Sequence, residues 1–101
     1  LTYGWVMAHH WDDWGVQIGP KTDGSGTHVA VYAWRDCHPV CAWEFFAEYD
    51  ALAPGSTHDY AVTWYLDGWH MEYDGRAVAV LDVGSPNSAL IGINPAERTA
   101  A

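Results

Sequence analysis

Basic residues are scarce in this chain. Lys and Arg together number four against thirteen Asp and Glu, which gives a formal net charge of −9. Proteins that bind nucleic acid or anionic membrane surfaces gain much of their affinity from clustered Lys and Arg. The composition therefore predicts no nucleic-acid partner and no membrane partner, and it fits a neutral ligand, a cation or a basic partner.

Several familiar sequence signals are also missing. No apolar run approaches the roughly 18 residues of a membrane span, and apolar residues nowhere recur with the helical period of 3.6. The chain has no internal repeat, phosphate-binding loop, dinucleotide fingerprint or nucleophile elbow. Its serines lie in turns rich in Gly and Pro, so nothing in the sequence supports Ser–His–Asp catalysis. No cofactor is expected.

Cysteine is limited to Cys37 and Cys41. On a straight strand their Cα atoms would lie about 13 Å apart, whereas a disulfide needs about 5.5 Å. A bond therefore requires a turn, which Pro39 between them permits. The sequence leaves both the bonded and the free state open, and a disulfide would indicate an extracellular or periplasmic protein.

Aromatic residues, by contrast, are abundant. Seven Trp, six Tyr and two Phe make up 15% of a chain of 101 residues, of which half are hydrophobic. This content favours β-structure and argues against disorder. The length fits one domain, residues 1–101.

Residues 58–83 predict three consecutive strands. Polar and apolar residues alternate over 58–66 and again over 69–74, with the period of two expected when one face of a strand is buried. Asp67-Gly68 and Asp74-Gly75 separate these segments, and both dipeptides favour type I′ hairpin turns. We therefore expect a β-meander, with Trp69, Met71 and Tyr73 on one side of its second strand.

The rest of the chain also divides into short strands and turns. Strands are expected at residues 2–9, 16–18, 28–35, 40–49 and 89–93. Loops are expected at residues 19–27, 53–56 and 84–88, and Pro95 begins a frayed end. This spacing predicts an all-β fold, namely an antiparallel β-sandwich or jelly roll.

Within residues 58–76, one run resembles a known family. The pattern His58-x-Tyr60-Ala61-Val62-x-Trp64, followed after a turn by Met71-x-Tyr73-Asp74-Gly75-Arg76, is similar to a run in concanavalin A-like domains. These include the laminarinase-type β-glucanases and the laminin G-like lectin modules. The resemblance implies a two-sheet β-sandwich and an activity directed at carbohydrate.

The resemblance also suggests a catalytic pair. The glucanases carry an acidic strand with two glutamates as nucleophile and acid/base, and Glu44 and Glu48 have a matching interval, with Phe46 in place of the family's aspartate. A retaining glycosidase needs carboxyl groups about 5–5.5 Å apart. The alternative is a solvated strand face. His70 and Glu72 form a second possible acid/base pair.

An aromatic surface is the other candidate site. His28, Tyr32 and Trp34 lie opposite the aliphatic face of residues 28–35, and Phe46 lies between Glu44 and Glu48. If these two strands pair, rings and carboxylates form one surface that suits a sugar, since the apolar face of a sugar ring stacks on an aromatic ring and carboxylates accept bonds from hydroxyls. The alternative is burial of both faces in a sandwich or an oligomer.

Metal sites remain open. His9, His10, Asp12 and Asp13 offer nitrogen and oxygen ligands, although adjacent residues of a strand point to opposite faces. Cys37, His38 and Cys41 lack an evident fourth ligand. Residues 23–26 could bind calcium or form a plain turn.

Three classes of function follow. The first is a carbohydrate-binding β-sandwich module whose partner is a neutral polysaccharide or oligosaccharide. The second is a small glycan-active hydrolase or lyase that uses paired carboxylates or histidine. The third is a self-assembling structural protein, since the exposed edges of a small sandwich favour a homo-oligomer.

Overall fold

The computed structural model of the chain describes residues 2–10, 13–37, 40–84 and 90–100. Eight strands account for most of these residues: β1 Thr2–His10, β2 Trp14–Asp23, β3 Gly26–Cys37, β4 Cys41–Leu52, β5 Tyr60–Tyr65, β6 Gly68–Tyr73, β7 Arg76–Leu81 and β8 Leu90–Ala100. The predicted all-β class is confirmed. The described part of the chain contains no helix with the length and hydrophobicity that a bilayer crossing needs.

The strands form two antiparallel sheets. The larger sheet has the order β4-β3-β2-β1-β8, so that β1 to β4 follow one another and β8 returns to pair with β1. The smaller sheet is β5-β6-β7. The predicted meander over residues 58–83 is thus confirmed as the smaller sheet.

One cluster of buried residues joins the two sheets. The larger sheet contributes Ala8, Trp14, Val16, Ile18, Val29, Val31 and Ala33, and the smaller sheet contributes Trp69, Met71, Tyr73 and Leu81. Each contributes every second residue of a strand, as the period of two predicts. Burial of a Val, Ile or Met side chain stabilises a fold by about 1.5–3 kcal/mol, so this shared cluster holds the sheets together.

Three tryptophans link the sheets at one end of this cluster. The ring of Trp69 on β6 lies 6.1 Å from that of Trp14 on β2 and 5.4 Å from that of Trp64 on β5, centroid to centroid. The indole nitrogen of Trp69 donates to the carbonyl of Gly84 at 2.9 Å. The row runs from the buried core to the exposed Trp64.

The two turns of the meander differ from each other. Asp74 and Gly75 have φ angles of 50° and 79°, as the predicted type I′ turn requires. The prediction for Asp67-Gly68 is wrong, because the two-residue loop is Leu66-Asp67, neither of which has a positive φ. Gly68 opens β6 at a φ of 127°, and a Cβ there would lie 2.8 Å from the Leu81 carbonyl oxygen.

The loop predicted over residues 19–27 is also wrong. β2 continues to Asp23 and β3 begins at Gly26, so only two residues connect them. The described pairing of β2 with β1 ends at Ile18, so that Pro20 occupies an edge-like position where its missing N–H costs little. The Asp23 carboxylate accepts bonds from the Ser25 amide and hydroxyl at 2.8 and 2.6 Å, which closes the turn.

The frayed end predicted from Pro95 onward is contradicted as well. β8 extends to Ala100 and borders the larger sheet, where a proline is tolerated. Its register with β1 shifts between Tyr3 and Trp5, which marks a bulge close to Pro95. The loop predicted at residues 84–88 lies almost wholly outside the described residues.

Cys37 and Cys41 form a disulfide. They are direct partners in the β3–β4 register, so the chain reverses between them as a bond requires. A disulfide is the form that cysteines take in oxidising compartments, which fits a secreted protein.

Candidate functional site

Of the residues predicted to bind sugar, Tyr32, Trp34 and Phe46 are brought together on β3 and β4. Tyr32 lies directly opposite Phe46, and Trp34 opposite Glu44. Because Val31 and Ala33 point into the shared core, the alternating Tyr32 and Trp34 lie on the outer face of the larger sheet. The pairing of these two strands, on which the predicted surface depends, is therefore confirmed.

Three rings form a continuous surface there, which we call the aromatic face: Tyr32, Trp34 and Phe46. The ring centroid of Tyr32 lies 5.4 Å from that of Trp34 and 6.3 Å from that of Phe46, the latter edge to face. Tyr32 and Trp34 are half-buried, and Phe46 is 48% exposed. The rings are thus held in place yet accessible.

Glycines of β2 make room for this surface. A Cβ at Gly15 would overlap the ring of Trp34, and a Cβ at Gly19 would overlap the ring of Trp5. Trp5 is buried, and its indole nitrogen donates to the Pro20 carbonyl at 2.9 Å. Gly15 and Gly19, two residues to either side of Gln17, are the sequence signal for rings that lie against β2.

Charged groups border the aromatic face. Glu44 and Glu48 are exposed on either side of Phe46. The Lys21 ammonium lies 5.8 Å from the Phe46 ring centroid, 3.6 Å from Glu48 Oε1 and 2.7 Å from Asp23 Oδ2. The rim can therefore both accept and donate hydrogen bonds beside the rings.

His28 lies apart from the other predicted ligand residues. It pairs with Lys21 of β2 and Ala51 of β4, and the register shifts between His28 and Ala30. Four residues of strand separate it from Tyr32, or about 13 Å. Its Nδ1 is buried without a hydrogen-bond partner among the described residues, so this nitrogen does not face a ligand at the surface.

Glu44 and Glu48, the predicted catalytic pair, are also separated by four residues of strand. They occupy one face of β4, so their Cα atoms lie about 13 Å from each other. Carboxyl groups about 5–5.5 Å apart, as in retaining glycosidases, therefore require both side chains to extend toward each other along the strand. The other pair is already engaged: His70 Nε2 lies 2.7 Å from Asp67 Oδ1, and Thr63 donates to Glu72 at 2.6 Å.

The described candidate metal ligands form hydrogen bonds or a disulfide with other residues of the chain. His10 Nδ1 lies 3.0 Å from Asp13 Oδ2, while Asp12 and His38 lie outside the described residues. Cys37 and Cys41 are bonded to each other, so they present no thiolate to a metal. Asp23 is engaged by Lys21 and Ser25, which keep its pKa well below the usual range, and within the described ranges no group of three potential ligands converges.

A serine, a histidine and an aspartate form an arrangement that the sequence does not predict. The Ser56 hydroxyl oxygen lies 2.8 Å from His58 Nε2, and His58 Nδ1 lies 2.6 Å from Asp74 Oδ2. We call Ser56, His58 and Asp74 the Ser–His–Asp set. No sequence motif marks it, because Asp74 reaches the other two only through the pairing of residue 59 with the β6–β7 turn.

Comparisons with known proteins add no assignment to this geometry. No family model, curated protein or solved structure matches the chain.

Proposed function

We propose that the chain is a secreted β-sandwich module that binds a neutral polysaccharide on the aromatic face. The observation that carries this proposal is the contact of Tyr32, Trp34 and Phe46 on the outer side of the larger sheet, between Glu44 and Glu48. A neutral ligand suits the formal charge of −9 better than an anionic one.

The chemistry of the aromatic face supports a sugar ligand. The C–H face of a pyranose ring packs against aromatic rings, and its hydroxyls donate to carboxylates or accept from an ammonium group. Rings and charged groups of both kinds are present here within one patch. Because Trp34 is fixed over Gly15, little side-chain entropy is lost when a sugar packs against it.

Two further observations support the wider assignment. Residues 60–81 fold into the meander that their alternating pattern predicts, and the two sheets share one core as the layers of a sandwich do. The disulfide supports secretion. A hydrolytic role for Glu44 and Glu48 and a self-assembling role remain the alternatives that the following experiment separates.

The test is calorimetric titration of the protein with soluble β-glucan, xylan and alginate, followed by mass analysis of the glycans. We expect saturable binding of a neutral glycan, no binding of anionic alginate and no shortening of the chains. Shortened chains would favour the hydrolase, whereas no binding to any glycan, with self-association in sedimentation, would favour assembly.

Substitution locates the surface. Trp34→Ala removes the largest ring of the aromatic face and should weaken binding about 5- to 10-fold, the equivalent of about 1–1.4 kcal/mol. Tyr65→Ala is the matched control, because Tyr65 is 49% exposed but lies on the smaller sheet. Equal affinities of the two variants would contradict the proposed location.

A further inference from the structure

The Ser–His–Asp set has the hydrogen-bond order of a nucleophilic triad. Distances of 2.8 Å from Ser56 Oγ to His58 Nε2 and 2.6 Å from His58 Nδ1 to Asp74 Oδ2 connect hydroxyl, imidazole and carboxylate in one line. Both ring nitrogens are used, each toward the partner that nucleophilic catalysis requires.

The fold holds the three residues on two connections, Ser56 and His58 between β4 and β5 and Asp74 between β6 and β7. Ser56 ends a turn in which its amide donates to the Ala53 carbonyl at 3.1 Å. Asp74 lies in the β6–β7 turn, where its amide donates to the Asp59 carbonyl at 2.8 Å and its Oδ1 accepts from the Asp59 amide at 3.0 Å. His58 lies between these two anchored points, so its ring orientation is fixed from both sides.

The proton positions follow from the partners. An ionised carboxylate only accepts hydrogen bonds, so the Nδ1 facing Asp74 must carry a proton. In a neutral imidazole, Nε2 is then the free acceptor, and it faces the Ser56 hydroxyl. The hydrogen bond from His58 lowers the pKa of Asp74, which keeps that carboxyl ionised at neutral pH.

The nucleophile also has space beside it. Ser56 is half-buried, the His58 side chain is 21% exposed, and a Cβ at the neighbouring Gly55 would meet no atom within 4 Å. The Ser56 hydroxyl also donates a hydrogen bond to the Ala53 carbonyl oxygen at 2.6 Å, so its proton has two neighbouring acceptors, this carbonyl and His58 Nε2, and the attack on a substrate requires the second.

We propose that this set is a hydrolytic site for carboxylic esters. Ser56 Oγ attacks the ester carbonyl while its proton passes to His58 Nε2, and the C–O bond to the alcohol breaks as the alcohol takes that proton. Water then attacks the acyl-serine, gives a proton to Nε2 and releases the acid as the serine hydroxyl reforms. Asp74 holds the ring and stabilises the imidazolium throughout.

The test uses the whole chain with p-nitrophenyl acetate and a fluorophosphonate probe. We expect the probe to modify Ser56, identified by peptide mass analysis, and ester hydrolysis to fall about 100-fold or more in Ser56→Ala and in Asp74→Asn. Asn tolerates the positive φ of position 74, so this variant keeps the turn.

Ser25→Ala is the matched control. Ser25 also bonds to an aspartate in an exposed turn, but its hydrogen-bond partner there is Asp23 without an intervening histidine. We expect this variant to keep full labelling and hydrolysis. The proposal is overturned if Ser56 is not modified, or if Ser56→Ala hydrolyses the ester as fast as the parent while circular dichroism shows both folded; neither result bears on glycan binding at the aromatic face.

Discussion

At the scale of single residues, the outer side of the larger sheet depends on positions without a side chain. Gly15 and Gly19 of β2 lie under the rings of Trp34 and Trp5. A tryptophan that lies flat over a neighbouring strand covers backbone that would otherwise be solvated, and it keeps few rotamers. The two rings can therefore take these positions only because Gly15 and Gly19 have no Cβ.

The consequence can be measured at Gly19. A Cβ in Gly19→Ala would overlap the buried Trp5 ring, and such overpacking costs about 1–3 kcal/mol of the free energy of unfolding. Urea unfolding followed by circular dichroism should show this loss. Gly24→Ala is the control, because a Cβ there meets nothing within 4 Å and should change stability by less than about 1 kcal/mol. Equal midpoints for both variants would contradict the packing described for Trp5.

These contacts mark what the sequence could and could not predict at this scale. The period of two placed Tyr32 and Trp34 on the face opposite Val31 correctly, because alternation is a property of one strand. Which glycine lies under which ring depends on the register between strands. The Ser–His–Asp set also depends on the register between strands, since Asp74 is sixteen residues from His58 along the chain.

At the scale of elements, the disulfide fixes the β3–β4 hairpin that carries the aromatic face. It joins directly opposed residues, Cys37 and Cys41, and thereby restrains the unfolded chain over a short loop. Loop entropy for so few residues gives a stabilisation of about 2 kcal/mol.

The double substitution Cys37→Ala with Cys41→Ala should therefore lower the free energy of unfolding by about 2 kcal/mol, as measured by urea titration. A reducing agent should destabilise the parent by a similar amount and leave the double variant unaffected. An effect of the reductant on that variant would show that the loss does not arise from this bond.

The ends of a strand could be predicted where the turn residues adopt the positive φ angles that their type favours. Asp74-Gly75 forms the expected turn because both residues adopt positive φ. Residues 19–27 have the composition of a loop, yet most of them continue the ladder between β2 and β3. Pairing with a neighbour strand outweighed local propensity there.

At the scale of the whole molecule, acidic side chains set the response to pH. Hydrogen bonds from Lys21, His70 and His58 lower the pKa values of Asp23, Asp67 and Asp74, respectively, below the ordinary value of 3.8. The unfolded chain then binds protons at higher pH than the folded one. The stability that these groups contribute is present above about pH 4 and is lost as the pH falls through their folded pKa values.

We therefore expect the urea midpoint to fall steadily between about pH 5 and pH 2. In the double variant Asp67→Asn with Asp74→Asn, the same titration should have a shallower slope, because two of the three depressed carboxyls are gone. A slope equal to that of the parent would mean that these hydrogen bonds do not persist in solution.

The row of Trp14, Trp69 and Trp64 has an optical consequence. Indole transitions at centroid distances of 5.4 and 6.1 Å couple, and coupled chromophores of fixed mutual orientation give a paired positive and negative band in the ultraviolet dichroism spectrum. Trp14 and Trp69 belong to different sheets, so the part of the signal that arises from this pair reports whether the layers are docked, whereas Trp69 and Trp64 are partners within the smaller sheet. A state that kept its strands but lost its interlayer packing would retain the peptide signal and the contribution of Trp64 with Trp69 but lose that of Trp14 with Trp69, so the chain carries an intrinsic probe that distinguishes its native form from a molten one.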